Sequence, residues 1–410
     1  MRRTIPSRTG APSEAPEALT PSPSDLAFSL DAEGHRGAMQ VCVRAGDAVL
    51  SGQPIAEGEW QVLHSPLAGT VSVSDARQVV IQCSTEQPDW CAAPMPLADK
   101  SELPDYLRAM GLVGMGGGRF PYARRIARIL ERPPHTLVIN AVECEPGIGI
   151  DESLMIHQNR EVFAGAEAFK NLLGMRRCVL AVRRSTRRHL EPFLENHSFD
   201  WLEMPDRYPG GAGKLISAKL SGRMPRAGML NSDLGFLISN VASLWAFGRR
   251  LIEGRPSVDR PLTLLAPDAP PRQLVVPLGV SAGHVLSACG VSFDAARQIL
   301  VAEGRLMGRA VERDYRVGKG AIALMVLNRE RRWERPEAPC ILCGSCFDAC
   351  PLGLHPIGMA NRIREGRSSR SLEAQLNECF LCGACSAVCP AEIPLVQVFR
   401  EGKTWLKNKA

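Results

Sequence analysis

Two runs of cysteine limit this chain more than any other feature. The first is Cys340-Ile-Leu-Cys343-Gly-Ser-Cys346-Phe-Asp-Ala-Cys350-Pro351, and the second is Cys379-Phe-Leu-Cys382-Gly-Ala-Cys385-Ser-Ala-Val-Cys389-Pro390. Both read C-x2-C-x2-C-x3-C-P, the spacing at which thiolates hold a pair of four-iron clusters. Three thiolates on a tight loop take three irons of one cubane, and a glycine after the second cysteine keeps that loop open. The fourth cysteine points away and ligates the other cluster. The spacing therefore assigns Cys340, Cys343, Cys346 and Cys389 to one [4Fe–4S] cluster, and Cys379, Cys382, Cys385 and Cys350 to the second. Paired zinc sites are the bland alternative. They have no need of four cysteines at this spacing, followed by proline, twice.

Eight of the fourteen cysteines fall in these runs, so the chain carries thiol–metal chemistry and not a disulfide framework. The others, Cys42, Cys83, Cys91, Cys144, Cys178 and Cys289, are scattered and read as buried, inert thiols. Cys144 stands apart because it sits in an acidic loop. Lys+Arg 49 against Asp+Glu 43 leaves +6 over 410 residues, with 5% aromatics. That balance argues against nucleic acid as a partner. No apolar run approaches the ~18 residues of a membrane span. Arg2, Arg3 and Arg8 are followed by Pro, Ser and Thr with no apolar core, so no secretory signal is read and a cytoplasmic location is expected.

The pattern along the chain predicts several units of mixed α/β and α+β class. Residues 1–24 are expected to be a disordered tail. Residues 25–97 alternate apolar and polar between glycine turns and predict a β module. Gly46 to Gln53 and His64 to Val71 resemble a biotinyl/lipoyl-type barrel-sandwich module, but no lysine lies between Met39 and Arg77 to carry a cofactor. Residues 98–255 alternate strands (136–140, 178–182) with helices (103–110, 122–130 and one long stretch over 155–173), an α/β domain. Residues 256–330 read as a small α+β module with a short helix over 281–289 and a closing strand over 321–327. Residues 331–410 hold the cysteine runs in helical text, and the 28-residue gap between Cys350 and Cys379 leaves room for an extra helix.

A glycine-rich stretch, Gly111-Leu-Val-Gly114-Met-Gly116-Gly117-Gly118-Arg119-Phe120-Pro121, precedes a helix, with Arg124 and Arg125 just inside it. Such a loop lets backbone N–H groups approach a phosphate. The strand that follows ends in Asn140, at the edge where α/β ligands bind. Glu143 and Glu145 come next, two apart. In an extended segment they share one side and suit ribityl or ribose hydroxyls.

Together with Asp151-Glu-Ser-Leu-Met155 and Ser239-Asn240-Val-Ala-Ser243, these motifs resemble the RnfC family, the peripheral subunit of the Rnf ion-translocating electron transport complex. The α/β part is also similar to the flavin-bearing subunit of respiratory complex I. The resemblance covers roughly residues 38–405. It implies a barrel-sandwich module, an FMN-binding-type α/β domain, a small β-grasp-like module and an α-helical two-cluster ferredoxin domain. It implies FMN held by Gly114, Gly116, Gly117, Gly118, Asn140, Glu143, Asn240 and Ser243, with NADH as hydride donor. It further implies integral membrane subunits as partners, ferredoxin or flavodoxin as indirect ones, coupling to ion movement, and a peripheral place on the cytoplasmic face of the inner membrane. Three departures stand out. Arg119 replaces the family's last loop glycine, the Tyr208 to Lys214 stretch lacks a glutamate and is one residue short, and Glu303-Gly-Arg-Leu-Met-Gly308 stands where Gly-Gly-Pro is usual. They motivate one alternative, an iron–sulfur adaptor without FMN or NADH; a second, of similar build, is a soluble flavin/iron–sulfur reductase of the cobalamin-reductase type.

Overall fold

The computed structural model describes residues 5–6, 14–30, 39–88, 97, 99–226, 228–267, 269–329 and 336–407. Cys91, at the end of the expected β module, lies outside them. The N-terminal β region holds a four-stranded antiparallel sheet in the order Asp25–Ser29, Gln78–Cys83, Gly69–Ser74, Ala48–Val49. A three-stranded sheet of Gln40–Val41, Pro54–Glu57 and Val62–His64 shares its core through Val49, Ile55, Leu63, Val71, Val79 and Ile81.

The α/β domain is built on four parallel strands. Taken in chain order they are Thr136–Ala141, Arg177–Arg183, Asp200–Met204 and Phe236–Asn240, and across the sheet they run third, second, first, fourth. Thr136–Ala141 is an apolar run with no alternation because helices cover both faces. Leu137 and Ile139 pack on one side with Phe169, Trp245 and Phe247, while Val138 packs on the other with Ile216 and Ile238. On the first side, Asn159–Leu172 and Val241–Glu253 approach closely through two glycines. A Cβ on Gly165 would stand 2.2 Å from the Leu244 carbonyl oxygen, and one on Gly248 would stand 1.8 Å from that of Glu161.

Two expectations are corrected. The single long helix over 155–173 is two helices, Ile150–His157 and Asn159–Leu172, broken at Gln158. Gln158 leaves helical geometry (φ −132°, ψ 35°), and its side-chain oxygen accepts from the indole N–H of Trp245. The stretch 1–24 is not a disordered tail throughout. Glu17–Ala18 adds a parallel edge strand beside Ala269–Pro277, Leu19 is buried and its N–H donates to the Val275 carbonyl at 3.1 Å. Ile5–Pro6 pairs with Arg207–Tyr208. Low hydrophobicity concealed these segments, because a strand edge recruits a neighbour through its unpaired main-chain groups, whatever that neighbour's composition.

With that edge, the 256–330 region forms a six-stranded mixed sheet in the order Arg309–Val311, Gln298–Ala302, Ala323–Asn328, Asp259–Ala266, Ala269–Pro277, Glu17–Ala18. The C-terminal region is helical among the described residues. Pro356–Arg364 and Arg370–Glu378 fill the gap between the cysteine runs and pack with Leu395–Lys407 around Met359, Leu372, Leu376 and Phe399.

Candidate functional site

The two cysteine runs fold alike. In each, a leucine takes a left-handed conformation (Leu342 φ 54°, Leu381 φ 58°), and a left-handed glycine (Gly344 φ 73°, Gly383 φ 78°) then caps a short helix, Ser345–Ala349 or Ala384–Ala387. Non-glycine residues hold positive φ only where their surroundings enforce it. Here the turn directs main-chain N–H groups at sulfur: Leu342 N–H donates to Cys340 Sγ at 3.4 Å, and Leu381 N–H is directed in the same way at Cys379.

The thiols stand round two pockets. One is lined by Cys340, Cys343, Cys346 and Cys389, the other by Cys350, Cys379, Cys382 and Cys385. The structure thus brings each run's fourth cysteine to the other run's loop. Burial, then the charges of Cys382, Cys379 and Cys350, push the Cys385 thiol up to about 12, and Cys389 raises Cys346 after burial. Among the described residues no three His, Cys, Asp or Glu side chains converge as they would on a single metal ion. A pocket walled by four separated thiols and apolar side chains fits a four-iron, four-sulfide body, which needs room at its centre.

The pockets differ in what covers them. The second docks on the rest of the chain: Tyr208 Oη donates to the Cys382 carbonyl at 2.5 Å, Lys214 pairs with Glu378, and a Cβ on Gly383 would lie 2.6 Å from the Leu306 carbonyl oxygen. The Tyr208 to Lys214 stretch, which departs from the family pattern, is therefore an anchor for the second cysteine loop. The first pocket opens outward. Cys340 and Cys343 are exposed, and so are Ile341, Leu342 and Phe347 around it.

Asn140 and Asn240 are register partners at the ends of the first and fourth strands. The order of the sheet reverses between those strands, which is where open α/β sheets receive ligands. The glycine loop lies against this point. A Cβ on Gly116 would come to 3.2 Å from Asn240 Cβ, and Ser243 Oγ accepts from Met115 N–H at 2.8 Å. Residues 116–118 are exposed, and a Cβ on Gly117 or Gly118 would meet nothing within 4 Å. Gly114 closes the loop's base by exchanging hydrogen bonds with Arg119 and Phe120. An open strip of backbone beside two asparagines at a sheet switch point fits the flavin-type cofactor expected there.

The polar side chains are more occupied than the sequence implied. Asn140 donates to the Gly211 carbonyl, and Asn240 donates to Asp151. Glu143 and Glu145 do not share one side, because the segment turns. Glu143 accepts from Asp151 and Glu152 N–H at the start of Ile150–His157 (2.8 and 3.1 Å), whereas Glu145 accepts from Leu306 and Met307 N–H of the small sheet domain (3.2 and 3.1 Å). Burial, reinforced by the neighbouring Asp151 charge, raises the Glu143 carboxyl, and burial pushes Glu145 up to about 7. Cys144 between them is half-buried, its thiol raised to about 12 by desolvation. Arg119 (φ 49°) lies against Gly320 and pairs with Glu303 (φ 74°), so two departures from the family pattern meet each other. Arg260 and Lys319 also belong to this neighbourhood and carried no sequence signal, since each is tied to a partner distant in the chain.

Fold and pockets define a class: a flavin-type α/β domain joined to a two-cluster iron–sulfur lobe. The Nuo51 FMN-binding domain family matches residues 107–249, and the 4Fe-4S dicluster domain family matches residues 339–393, which bears out FMN and [4Fe–4S] clusters as the cofactors. Within that class, the chain is similar to the RnfC component of the ion-translocating oxidoreductase complex. It is 31% identical to the protein of Edwardsiella ictaluri over 96% of this chain and 52% of the relative. For Erwinia tasmaniensis the values are 32%, 93% and 50%, and for Serratia proteamaculans 31%, 95% and 58%. The chain spans about half the length of these curated relatives. The crystal structure of an NAD+-reducing [NiFe]-hydrogenase in the H2-reduced state shares the fold at a TM-score of 0.52 and 18% identity, covering 74% of this chain and 61% of that one. Among the described residues no helix is long and apolar enough to cross a membrane.

Proposed function

We propose that this chain is an electron-transfer subunit of an Rnf-type ion-translocating complex, accepting reducing equivalents from NADH and handing single electrons to membrane subunits, or running in reverse. The observation that carries this reading is the unequal covering of two equivalent cysteine loops: the inner one is docked on the flavin-type domain, the outer one is open and rimmed by apolar side chains. When bound, FMN supplies the change from two-electron to one-electron chemistry and the clusters supply one-electron relay. Gly116, Gly117 and Gly118 would offer backbone to FMN, with Gly114 closing the base of their loop, Asn140, Asn240 and Ser243 shaping the wall and Glu143 holding the helix behind it. Cys350, Cys379, Cys382 and Cys385 would hold the inner cluster, and Cys340, Cys343, Cys346 and Cys389 the outer one. Tyr208 and Lys214 keep the inner lobe seated. The N-terminal sheets are read as a barrel-sandwich module and the six-stranded region as a β-grasp elaboration, with the whole subunit peripheral on the cytoplasmic face of the membrane.

The test is anaerobic purification with counts of iron, sulfide and FMN, an NADH:ferricyanide assay, and the same measurements on Cys343→Ser. Two cubanes and one flavin are expected. The variant should lose only the outer cluster and keep NADH-to-flavin reduction. Clusters without flavin would favour the adaptor, and two intact cubanes in the variant would overturn the ligand assignment.

A further inference from the structure

The six-stranded region sends three side chains to the glycine loop. Arg260 is 1% exposed, and its Nη2 donates to the Met115 carbonyl at 2.6 Å while its Nε donates to Ala321. Lys319, also 1% exposed, donates from Nζ to the Gly111 carbonyl at 2.7 Å. Glu303 pairs with Arg119, and both side chains are about one-fifth exposed. Burying a guanidinium and an ammonium is costly unless their donors are used. These two spend donors on main-chain carbonyls of one loop, 145 and 208 positions away in sequence. The ion pair joins two non-glycine residues with positive φ, a conformation that persists only when its surroundings hold it. Arg119 has room because residue 320 is glycine: a Cβ there would stand 2.0 Å from Arg119 Nε. Gly111, Met115 and Arg119 are thus fixed from behind, and the exposed stretch 116–118 is strung between the last two.

We propose that the small sheet domain is a clamp for the flavin loop, with Arg260, Lys319 and the Arg119–Glu303 ion pair acting as positioning residues that hold residues 111–119 in the shape that receives FMN. The proposal rests on the reading of that loop as the flavin site. None of these side chains is asked to touch the flavin. Their effect is to remove the conformational cost that a free glycine loop would bear on binding.

The test uses the full chain, stripped of flavin and with its clusters intact, in four forms: wild type, Arg119→Glu, Glu303→Arg and the double exchange. FMN is titrated by quenching of its fluorescence, amide exchange is followed over residues 111–119, and iron content reports that the rest of the chain is folded. Each single variant should bind FMN ~10-fold more weakly, with faster exchange confined to the loop and unchanged iron. The double exchange should return affinity to within ~3-fold of wild type, since partners in contact couple. Wild-type affinity in the single variants overturns the clamp, and so does a double exchange no better than they are. If the wild-type chain itself takes up no FMN, the flavin assignment has failed separately, and exchange decides alone: unchanged loop protection in the single variants overturns the clamp, and faster exchange restored by the double exchange upholds it.

Discussion

Gly344 and Gly383 occupy the same position in the two cysteine loops, with φ of 73° and 78°. Alanine at either must sit in the left-handed region, at about 1–2 kcal/mol. Their surroundings differ. A Cβ on Gly344 would meet no atom within 4 Å, whereas one on Gly383 would come to 2.6 Å from the Leu306 carbonyl oxygen. That contact is with backbone and cannot be relieved by a rotamer change, so the 379–385 loop must shift from the 303–308 loop, an overpacking cost of about 1–3 kcal/mol. Gly344→Ala should then cost about 1–2 kcal/mol locally and Gly383→Ala about 2–5 kcal/mol. The difference of about 1–3 kcal/mol corresponds to ~5- to 150-fold in the local opening equilibrium. The assay is an iron-chelator challenge of the anaerobic full-length protein, with each cluster followed by its EPR signal after reduction. Relative to the same cluster in wild type, Gly383→Ala should speed loss of the inner cluster at least ~5-fold more than Gly344→Ala speeds loss of the outer one. Equal acceleration over wild type in the two variants would refute the docked-and-open arrangement.

Burial carries the Glu145 carboxyl from 4.5 to about 7. The folded chain keeps that proton up to about pH 7, while the unfolded chain releases it near 4.5. The stability it contributes is therefore full below about pH 4.5 and is lost as pH rises through 7, by about 3 kcal/mol from 1.36 kcal/mol per unit. Thermal melts of wild type and Glu145→Gln between pH 5 and 8 should diverge, the wild type falling more steeply, and parallel curves would contradict this. Gly248→Ala forces a methyl to 1.8 Å from the Glu161 carbonyl oxygen between the two central helices. It should destabilise the α/β domain by about 1–3 kcal/mol or more and leave iron content unchanged. A wild-type melting temperature would show that those helices do not pack so closely.

Features that depend on near neighbours could be read directly. The cysteine runs suggest two ligand sets because ligation is a matter of short spacing and loop geometry, and each pocket is lined by three cysteines of one run and the fourth of the other. The apolar runs at 136–140 and 178–182 became central strands because a strand covered on both faces has no polar positions to hide it. What escaped was long-range. Nothing around Arg119 points to Glu303, 184 residues on, and nothing around Lys214 points to Glu378, 164 residues on. An extended segment would place Glu143 and Glu145 on one side as a pair; the turn sends them to different elements. Residues 17–19 had too little apolar character to stand out, yet the exposed edge of Ala269–Pro277 drew them into a sheet.

By itself, the order of amino acids determined the metal chemistry and the α/β class, since thiol spacing and apolar periodicity act over a few residues. Only the tertiary structure decided which cysteine loop is seated on the flavin-type domain and which is open. Local sequence makes the two loops equal, and the difference comes from Tyr208, Lys214 and Leu306, which meet one loop and not the other because of the way the domains close.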